Sequence, residues 1–214
     1  MNADQTGSRR KMHWEDLHAK SAPGGLNWYR PHLETSLRLI ESALGSTAET
    51  ESAILDAGGG QSTLVDDLLE RGYRHVTVCD VSEIALVRAR ERLGDAAARV
   101  EWQVGDVLTV PLPEGFFDLW HDRAVFHFLT ESADREAYVR AMAGALKPGG
   151  HAVMATFGPE GPTKCSGLEV CCYGAAALAD TLGARFRLVE SLTELHTTPV
   201  GNEQQFLYCH FVSA

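Results

Sequence analysis

"ILDAGGGQSTL", residues 54–64, runs from an apolar segment through an aspartate and three glycines into a second apolar-periodic segment. This order is typical of a buried strand that ends in a tight turn and continues into a helix. Because glycines let the backbone approach a ligand closely, the turn predicts a binding site. The ligand is either a phosphate or a group that carries none.

The composition predicts one globular domain, because 214 residues with 44% hydrophobic and 22% charged residues can bury a sizeable core. No apolar run approaches the ~18 residues that span a bilayer, and no apolar segment follows Arg9, Arg10 and Lys11 as in a secretory signal. Five cysteines without framework spacing favour a reduced, cytoplasmic setting. The net charge of -10 argues against nucleic acid as the partner, and we also expect no membrane partner. The oligomeric state stays open.

Apolar periodicity predicts alternating strands and helices along the chain. The predicted strands are Ser52–Asp56, His75–Asp80, Arg99–Val104, Phe116–Trp120, His151–Phe157, Phe186–Leu195 and Gln204–Val212. The predicted helices are His32–Leu44, Ser62–Glu70, Ser82–Leu93, Ser132–Lys147 and Tyr173–Leu182, with Ser82 as an N-cap and Lys-Pro-Gly-Gly as a helix end. The alternation indicates an α/β fold whose parallel sheet has helices on both faces and binds ligands at the carboxyl ends of its strands.

Two templates compete for the glycine turn. A dinucleotide site needs G-x-G-x-x-G, and here Thr63 stands at the third glycine position, which argues against NAD. The other template is acidic-x-G-x-G-x-G, matched by Asp56, Gly58, Gly60 and, with serine for the last glycine, Ser62. An acidic residue ahead of the glycines suits a ligand with an amino group better than a pyrophosphate.

Four motifs in this order resemble those of class I S-adenosylmethionine-dependent methyltransferases. They are "LDAGGGQS", "VTVCDVS", "VGDVLTVPLPEGFFDLW" and "LKPGGHAVMATF", and together they cover about residues 54–157. The resemblance implies a Rossmann-like, seven-stranded, mostly parallel sheet with a terminal antiparallel strand. It also implies S-adenosylmethionine as cofactor and S-adenosylhomocysteine as product. Ser62 departs from the family pattern, but a serine there can also cap the following helix.

The resemblance assigns cofactor roles to residues at successive strand ends. Asp56 is expected at the methionine amino group, Asp80 at the ribose hydroxyls and Asp106 at the adenine amino group. Val81 is expected against the adenine ring and Val107 is expected to offer a backbone N–H. The full predicted cofactor set is Trp28, Asp56, Gly58, Gly59, Gly60, Ser62, Asp80, Val81, Asp106, Val107 and His121. Taken singly, Asp80 or Asp106 could equally be a cap or turn residue.

The end of the fourth strand holds the predicted catalytic residues, His121, Asp122 and His127. His121 is a candidate general base because an unperturbed imidazole titrates near neutral pH. The negative charge of Asp122 suits a cationic sulfonium. His127 lies on an apolar face, where a hydrogen-bonded core histidine is the alternative. Arg123 is a candidate substrate-binding residue, or a structural partner of Asp122.

Substrate contacts must come from outside the shared core. Trp14, Trp28 and Tyr29 flank a Pro-Gly-Gly hinge and can form an N-terminal lid, or they can be ordinary packing residues. The loop Phe157–Gly174 and the final strands offer Cys165 and His196 as further substrate contacts. Cys165, Cys171 and Cys172 match no common zinc spacing, so we expect free thiols and no metal.

The sequence therefore predicts a single methyltransferase domain over residues 1–214. Its parts are a lid (1–34), a cofactor-binding core (35–157) and a substrate-side region (158–214). The expected acceptor is a heteroatom of a small molecule, and a thiol sulfur is favoured over oxygen because only histidines are available as bases. One alternative is protein lysine N-methylation, because the "HWEDLH" start resembles that of compact superfamily members that catalyse it. The other alternative is a non-catalytic cofactor-binding subunit of the same fold.

Overall fold

The sheet of the computed structural model contains seven strands in the order β3-β2-β1-β4-β5-β9-β8. The structure describes residues 3–22, 24–45 and 51–214. The strands of the sheet are β1 (Ala53–Ala57), β2 (His75–Asp80), β3 (Val100–Val104), β4 (Phe117–Arg123), β5 (Leu146–Phe157), β8 (Phe186–Thr197) and β9 (Glu203–Ser213). A separate two-stranded ribbon pairs β6 (Lys164–Cys165) with β7 (Leu168–Glu169).

The helices connect these strands and precede them at the N-terminus. They are α1 (Ala3–Lys20), α2 (Glu34–Leu44), α3 (Leu64–Glu70), α4 (Glu83–Leu93), α5 (Ser132–Ala145) and α6 (Ala175–Leu182). Short 3-10 turns span Gly94–Arg99, Phe126–Phe128 and Gly183–Arg185. Within the described ranges, no helix is both long and apolar enough to cross a membrane.

The predicted fold class is confirmed. Strands β1 to β5 pair in parallel, and β9 runs antiparallel to both β5 and β8. The order of strands reverses between β1 and β4, because β2 and β3 lie on one side of β1 and β4 lies on the other. Ligands of open α/β sheets bind outside the carboxyl ends of the strands at such a reversal.

Some element bounds differ from the sequence predictions for local reasons. Helix α5 ends at Ala145 and the chain is already extended at Leu146, so Lys147–Gly150 opens β5 rather than ending the helix. Lys147 precedes Pro148, and a residue before proline avoids helical backbone angles. Strand β4 continues three residues beyond the predicted Trp120. Helix α1 was not predicted from the sequence. Ser82 caps α4 as predicted, with its Oγ accepting from Ala85 N at 3.2 Å.

Alternation along β4 decides which side chains can share a site. Leu119 belongs to one core cluster and Trp120 to the other, so successive residues face opposite sides of the sheet. His121 accordingly reaches Ser36 on α2, whereas Asp122 reaches Tyr138 on α5. Both clusters consist of buried side chains, and Trp120 is completely buried.

Candidate functional site

A cavity lies at the carboxyl ends of β1 to β4, under helix α1. It brings together eleven of the residues predicted from the sequence. They are Trp14, Trp28, Gly58, Gly59, Gly60, Asp80, Val81, Asp106, Val107, Arg123 and Cys165. A second, adjoining cavity is lined by Tyr29, Asp56, Ser62 and His121, and it shares Trp28, Gly58, Gly59 and Arg123 with the first.

The glycine turn lines both cavities. Gly58 and Gly60 have positive φ angles of 70° and 46°, which side-chain-bearing residues rarely adopt. A Cβ at Gly58 would collide with Val125, and one at Gly60 would lie 2.9 Å from Asp80 Oδ2. Ser62 Oγ accepts a hydrogen bond from Leu64 N at 3.2 Å at the start of α3. The turn therefore brings bare backbone against the cavity.

Asp80 sits at the end of β2 and faces this turn. Its Oδ1 accepts from Ser82 N at 2.7 Å, which fixes the carboxyl group at the entrance of α4. Burial, with smaller contributions from the Asp56 and Glu15 carboxylates, raises the pKa of Asp80 to about 7. Hydroxyl groups that donate hydrogen bonds to this carboxyl group would stabilise its ionised form.

Asp106 lies at the end of β3 and connects the core to α1. Its Oδ1 accepts from Leu108 N at 3.0 Å, and its Oδ2 accepts from Arg10 at 2.6 Å. Arg10 also donates to Asp134 Oδ2 at 2.7 Å, so it bridges two carboxylates across the mouth of the cavity. Carboxylate oxygens have several lone pairs, so Asp106 can accept a further donor.

Helix α1 is fixed to α4 by contacts at both helix termini. Glu15 accepts from Ser82 Oγ at 2.8 Å, Glu83 N at 3.0 Å and Ile84 N at 3.2 Å, and it thus caps the N-terminus of α4. Arg88 of α4 donates to Ser21 O and Ala19 O at the end of α1. These contacts hold α1 above the cavity.

Aromatic side chains enclose the cavity beneath α1. Trp14 packs edge-on against Trp28 and Phe128, at centroid distances of 6.0 and 4.9 Å. His18 lies 6.2 Å from Trp28 and contacts Gln61 Nε2 through Nδ1 at 2.8 Å. Burial lowers the pKa of His18 to about 4, so the ring is neutral near pH 7. The aromatic lining suits a flat or cationic ligand.

The inner wall of the second cavity holds a buried pair. His121 contacts Asp56 Oδ1 through Nδ1 at 2.7 Å and Ser36 Oγ through Nε2 at 2.9 Å, so both ring nitrogens have protein partners. Asp56 Oδ2 is buried and has no hydrogen-bond partner. Asp56 can therefore accept a hydrogen bond from a ligand, whereas His121 has no free ring nitrogen to act as a base on a substrate.

The prediction that Asp122 stands beside His121 at the ligand is wrong. Neighbouring residues of a strand point to opposite faces, and Asp122 is completely buried on the α5 side. It accepts hydrogen bonds from Val125 N at 2.9 Å, Phe126 N at 3.0 Å and the Tyr138 hydroxyl. Its role is to shape the turn after β4, and it does not line either cavity.

His127 and His196 are buried outside both cavities, so the predicted catalytic role of His127 and substrate contact of His196 are wrong. His127 Nδ1 accepts from Phe157 N at 3.2 Å, and burial lowers its pKa to about 3, so it matches the core-histidine alternative. His196 Nε2 donates to Asn27 O at 2.6 Å, and Nδ1 accepts from Arg30 at 3.3 Å. His196 thus anchors the segment that carries Trp28 instead of contacting substrate.

The cavity also contains residues that the sequence analysis did not identify. They are Arg10, His18, Gln61, Ala124, Val125, Phe128, Leu129, Phe157 and Phe206, with Cys79 and Gly105. Trp14 and His18 lie four residues apart, a spacing that could have indicated a shared helix face. The others come from segments distant in sequence. Among the described residues, no group of three or more His, Cys, Asp or Glu could hold a metal ion.

An open α/β sheet with a glycine turn and acidic residues at the next two strand ends is typical of Rossmann-like proteins that bind nucleosides. Residues 54–150 match the family model described as "Methyltransferase domain". Over these residues the chain is similar to methyltransferase domains, as the four motifs indicated.

Sequence relatives are similar to about half of the chain. The chain is 33% identical over 108 residues to the ubiquinone/menaquinone biosynthesis C-methyltransferase UbiE of Paracoccus denitrificans, which is 49% of this chain and 42% of that protein. The chain therefore spans less than half the length of this curated relative.

Solved structures share the fold over nearly the whole chain. One is the Burkholderia thailandensis 1,6-didemethyltoxoflavin-N1-methyltransferase with bound 1,6-didemethyltoxoflavin and S-adenosylhomocysteine, with a TM-score of 0.72, 21% identity, and coverage of 100% of this chain and 92% of that one. The N-methyltransferase NodS of Bradyrhizobium japonicum WM9 with S-adenosylhomocysteine has a TM-score of 0.70, 22% identity, and coverage of 95% and 97%. At these identities the likeness shows the fold.

The residues present fit S-adenosylmethionine as cofactor. The positive-φ glycines leave a cradle that side chains would fill, and Asp56 Oδ2 is a buried acceptor without a partner. Asp80 and Asp106 lie farther along the cavity, at the next two strand ends. In superfamily members this cofactor supplies the sulfonium methyl group that is transferred.

We expect the affinity for S-adenosylhomocysteine to increase with pH up to about 7 to 8 and then to level off. Below its raised pKa, free Asp80 is protonated, and accepting two ribose hydroxyls requires it to lose that proton. Each unit below the pKa then costs up to about tenfold in affinity. Calorimetry from pH 6 to 8.5 measures this, and Asp80→Asn should flatten the profile. A falling affinity over this range would contradict the assignment.

Gly60→Ala should weaken S-adenosylhomocysteine binding by about tenfold and destabilise the fold by about 1–2 kcal/mol, because the new Cβ strains the turn and presses on Asp80. Gly144→Ala is the matched control. Gly144 lies within α5 and its added Cβ meets nothing within 4 Å, so this change should stabilise the helix by about 0.5–1 kcal/mol. Equal effects at the two positions, in calorimetry and thermal unfolding, would contradict the strain argument.

Proposed function

We propose that this chain is an S-adenosylmethionine-dependent methyltransferase that acts on a heteroatom of a small molecule, with a thiol sulfur favoured. The observation that carries the proposal is the continuous cavity that joins the glycine turn, Asp80 and Asp106 to an aromatic acceptor end. Trp28 and Phe128 lie near that end, together with Phe157, Cys165 and Phe206.

The preference for sulfur follows from the scarcity of bases. His18 is the one imidazole in the first cavity's lining, and its lowered pKa makes it a weak proton acceptor. The carboxylates of that lining, Asp80 and Asp106, belong to the proposed nucleoside end. A thiol that is already partly ionised needs least help, so positioning in line with the sulfonium methyl can supply most of the catalysis.

We further propose that residues 1–34 act as the lid of a single domain. Helix α1 and the Trp28 segment cover the cavity, and Glu15, Arg88 and Arg10 hold α1 in place. Pro23 of the predicted hinge lies outside the described residues. All five cysteines are free, which supports the proposed reducing, cytoplasmic setting.

The matched relatives do not identify the methyl acceptor. UbiE is named a C-methyltransferase, but the similarity covers only about half of this chain, and the matched family model ends at residue 150. Phe157, Cys165 and Phe206 of the acceptor end lie beyond that boundary.

Transfer from methyl-labelled S-adenosylmethionine tests the function. Thiophenol, phenol and benzoate are offered beside a protein extract, and products are separated by size. Label in the methyl sulfide of thiophenol supports the proposal. Label in a protein band instead favours the lysine alternative. No label with the cofactor still bound favours a binding subunit.

A further inference from the structure

Arg123 is an arginine of the cavity lining whose guanidinium is only partly hydrogen-bonded. Its Nε donates to the Tyr208 hydroxyl at 3.0 Å, its Nη1 donates to Trp28 O at 2.8 Å, and its guanidinium lies 4.7 Å from the centre of the Phe206 ring. All three partners are uncharged. Its Nη2 is buried and has no hydrogen-bond partner.

Three other arginines of the cavity linings form ion pairs with carboxylates: Arg10 with Asp106 and Asp134, Arg30 with Glu194, and Arg92 with Asp66. Arg88 instead donates to the carbonyl oxygens of Ser21 and Ala19 at the end of α1. Across the described ranges, Arg123 forms no ion pair with an Asp or Glu, although the chain carries a net charge of -10. Arginine does not deprotonate in proteins, so burying part of an uncompensated guanidinium is costly unless an anion joins it.

The position of Arg123 tells where this anion would be. Arg123 lines both cavities, as do Trp28, Gly58 and Gly59. It lines the first cavity together with the glycine turn, and it packs on Phe206, which the proposed function assigns to the acceptor end.

We propose that Arg123 binds a carboxylate of the ligand held in this cavity. The inference rests on the proposed function and names the chemistry that its site recognises. The carboxylate has two possible sources: the amino-acid end of the cofactor, or an acidic group on an aromatic acceptor. In both cases the fork geometry of the guanidinium binds it with charge-assisted hydrogen bonds.

Binding calorimetry separates the sources. S-adenosylhomocysteine carries the amino-acid carboxylate, whereas 5′-methylthioadenosine shares the nucleoside and lacks that group. If the cofactor is the source, Arg123→Met should weaken S-adenosylhomocysteine about ten- to hundredfold and leave 5′-methylthioadenosine within about twofold. Arg123→Lys keeps the charge but loses the fork geometry, so its affinity for S-adenosylhomocysteine should lie between those of the native protein and Arg123→Met. Arg140→Met, at an exposed arginine of α5, is the matched control and should change neither affinity.

The acceptor source is tested on the complex with S-adenosylhomocysteine. The probes are 2-mercaptobenzoate and thiophenol, which differ in one carboxylate. If the acceptor is the source, the native protein should bind 2-mercaptobenzoate at least about tenfold more tightly, and Arg123→Met should remove that preference without changing S-adenosylhomocysteine affinity.

The inference is overturned if Arg123→Met leaves both measurements unchanged. It is also overturned if S-adenosylhomocysteine and 5′-methylthioadenosine lose affinity equally, because Arg123 would then only support the Trp28 segment. Failure of the native protein to bind S-adenosylhomocysteine overturns the proposed function itself, so the two failures are distinguishable.

Discussion

Asp80→Ala should weaken S-adenosylhomocysteine binding by about 100- to 1000-fold, the largest loss expected from a single side chain of the site. Asp80 lies at the end of β2 in the cavity lining, where its carboxylate can accept both ribose hydroxyls. Two hydrogen bonds to a charged acceptor account for a loss of this size, at about 1.5–3 kcal/mol each. Isothermal titration of the ligand into each variant measures the change.

The design must separate binding from folding, because Asp80 also accepts from Ser82 N at the start of α4. Asp80→Asn keeps one acceptor oxygen for that contact and should lose ligand affinity with little change in thermal unfolding. Asp95→Ala, at an exposed position in the 3-10 turn after α4, is the matched control and should alter neither property. Native affinity in a folded Asp80→Asn protein would remove Asp80 from the nucleoside site.

Asp122→Ala should lower the free energy of unfolding by about 3–5 kcal/mol, the largest stability loss that we expect outside the apolar core. The substitution leaves Val125 N, Phe126 N and the Tyr138 hydroxyl without their acceptor in a fully buried place. Denaturant unfolding at constant pH measures the loss. Ligand affinity should fall with it, because the turn after β4 lines the cavity.

A smaller substitution in the same network is the matched control. Tyr138→Phe removes one donor to Asp122 and the acceptor of Trp120 Nε1, which lies 2.8 Å from the Tyr138 hydroxyl, while both backbone bonds to Asp122 remain. Its cost should be about 1–2 kcal/mol. If Asp122→Ala instead unfolds like the native protein and loses only methyl transfer, then Asp122 has the catalytic role that the sequence suggested.

The sequence alone determined the sheet, the order of its elements and the group of residues that lines the cavity at the strand ends. These features follow from local signals: apolar periodicity, Gly58 and Gly60 after a buried strand, and an acidic residue at each of the next two strand ends. Parallel pairing then brings Asp80 and Asp106 to one edge of the sheet without any further information. Ser82 capping α4 is likewise a local contact.

The tertiary structure decided which residues surround these strand ends. Alternation along β4 sends His121 to Ser36 and Asp122 to Tyr138, and no spacing rule shows which face meets the ligand. His196 is buried because Asn27, 169 positions earlier, supplies its acceptor. Arg10 likewise meets Asp106 only after α1 docks across α4. Such contacts depend on the packing of distant segments, so burial and pairing settle them where local sequence patterns cannot.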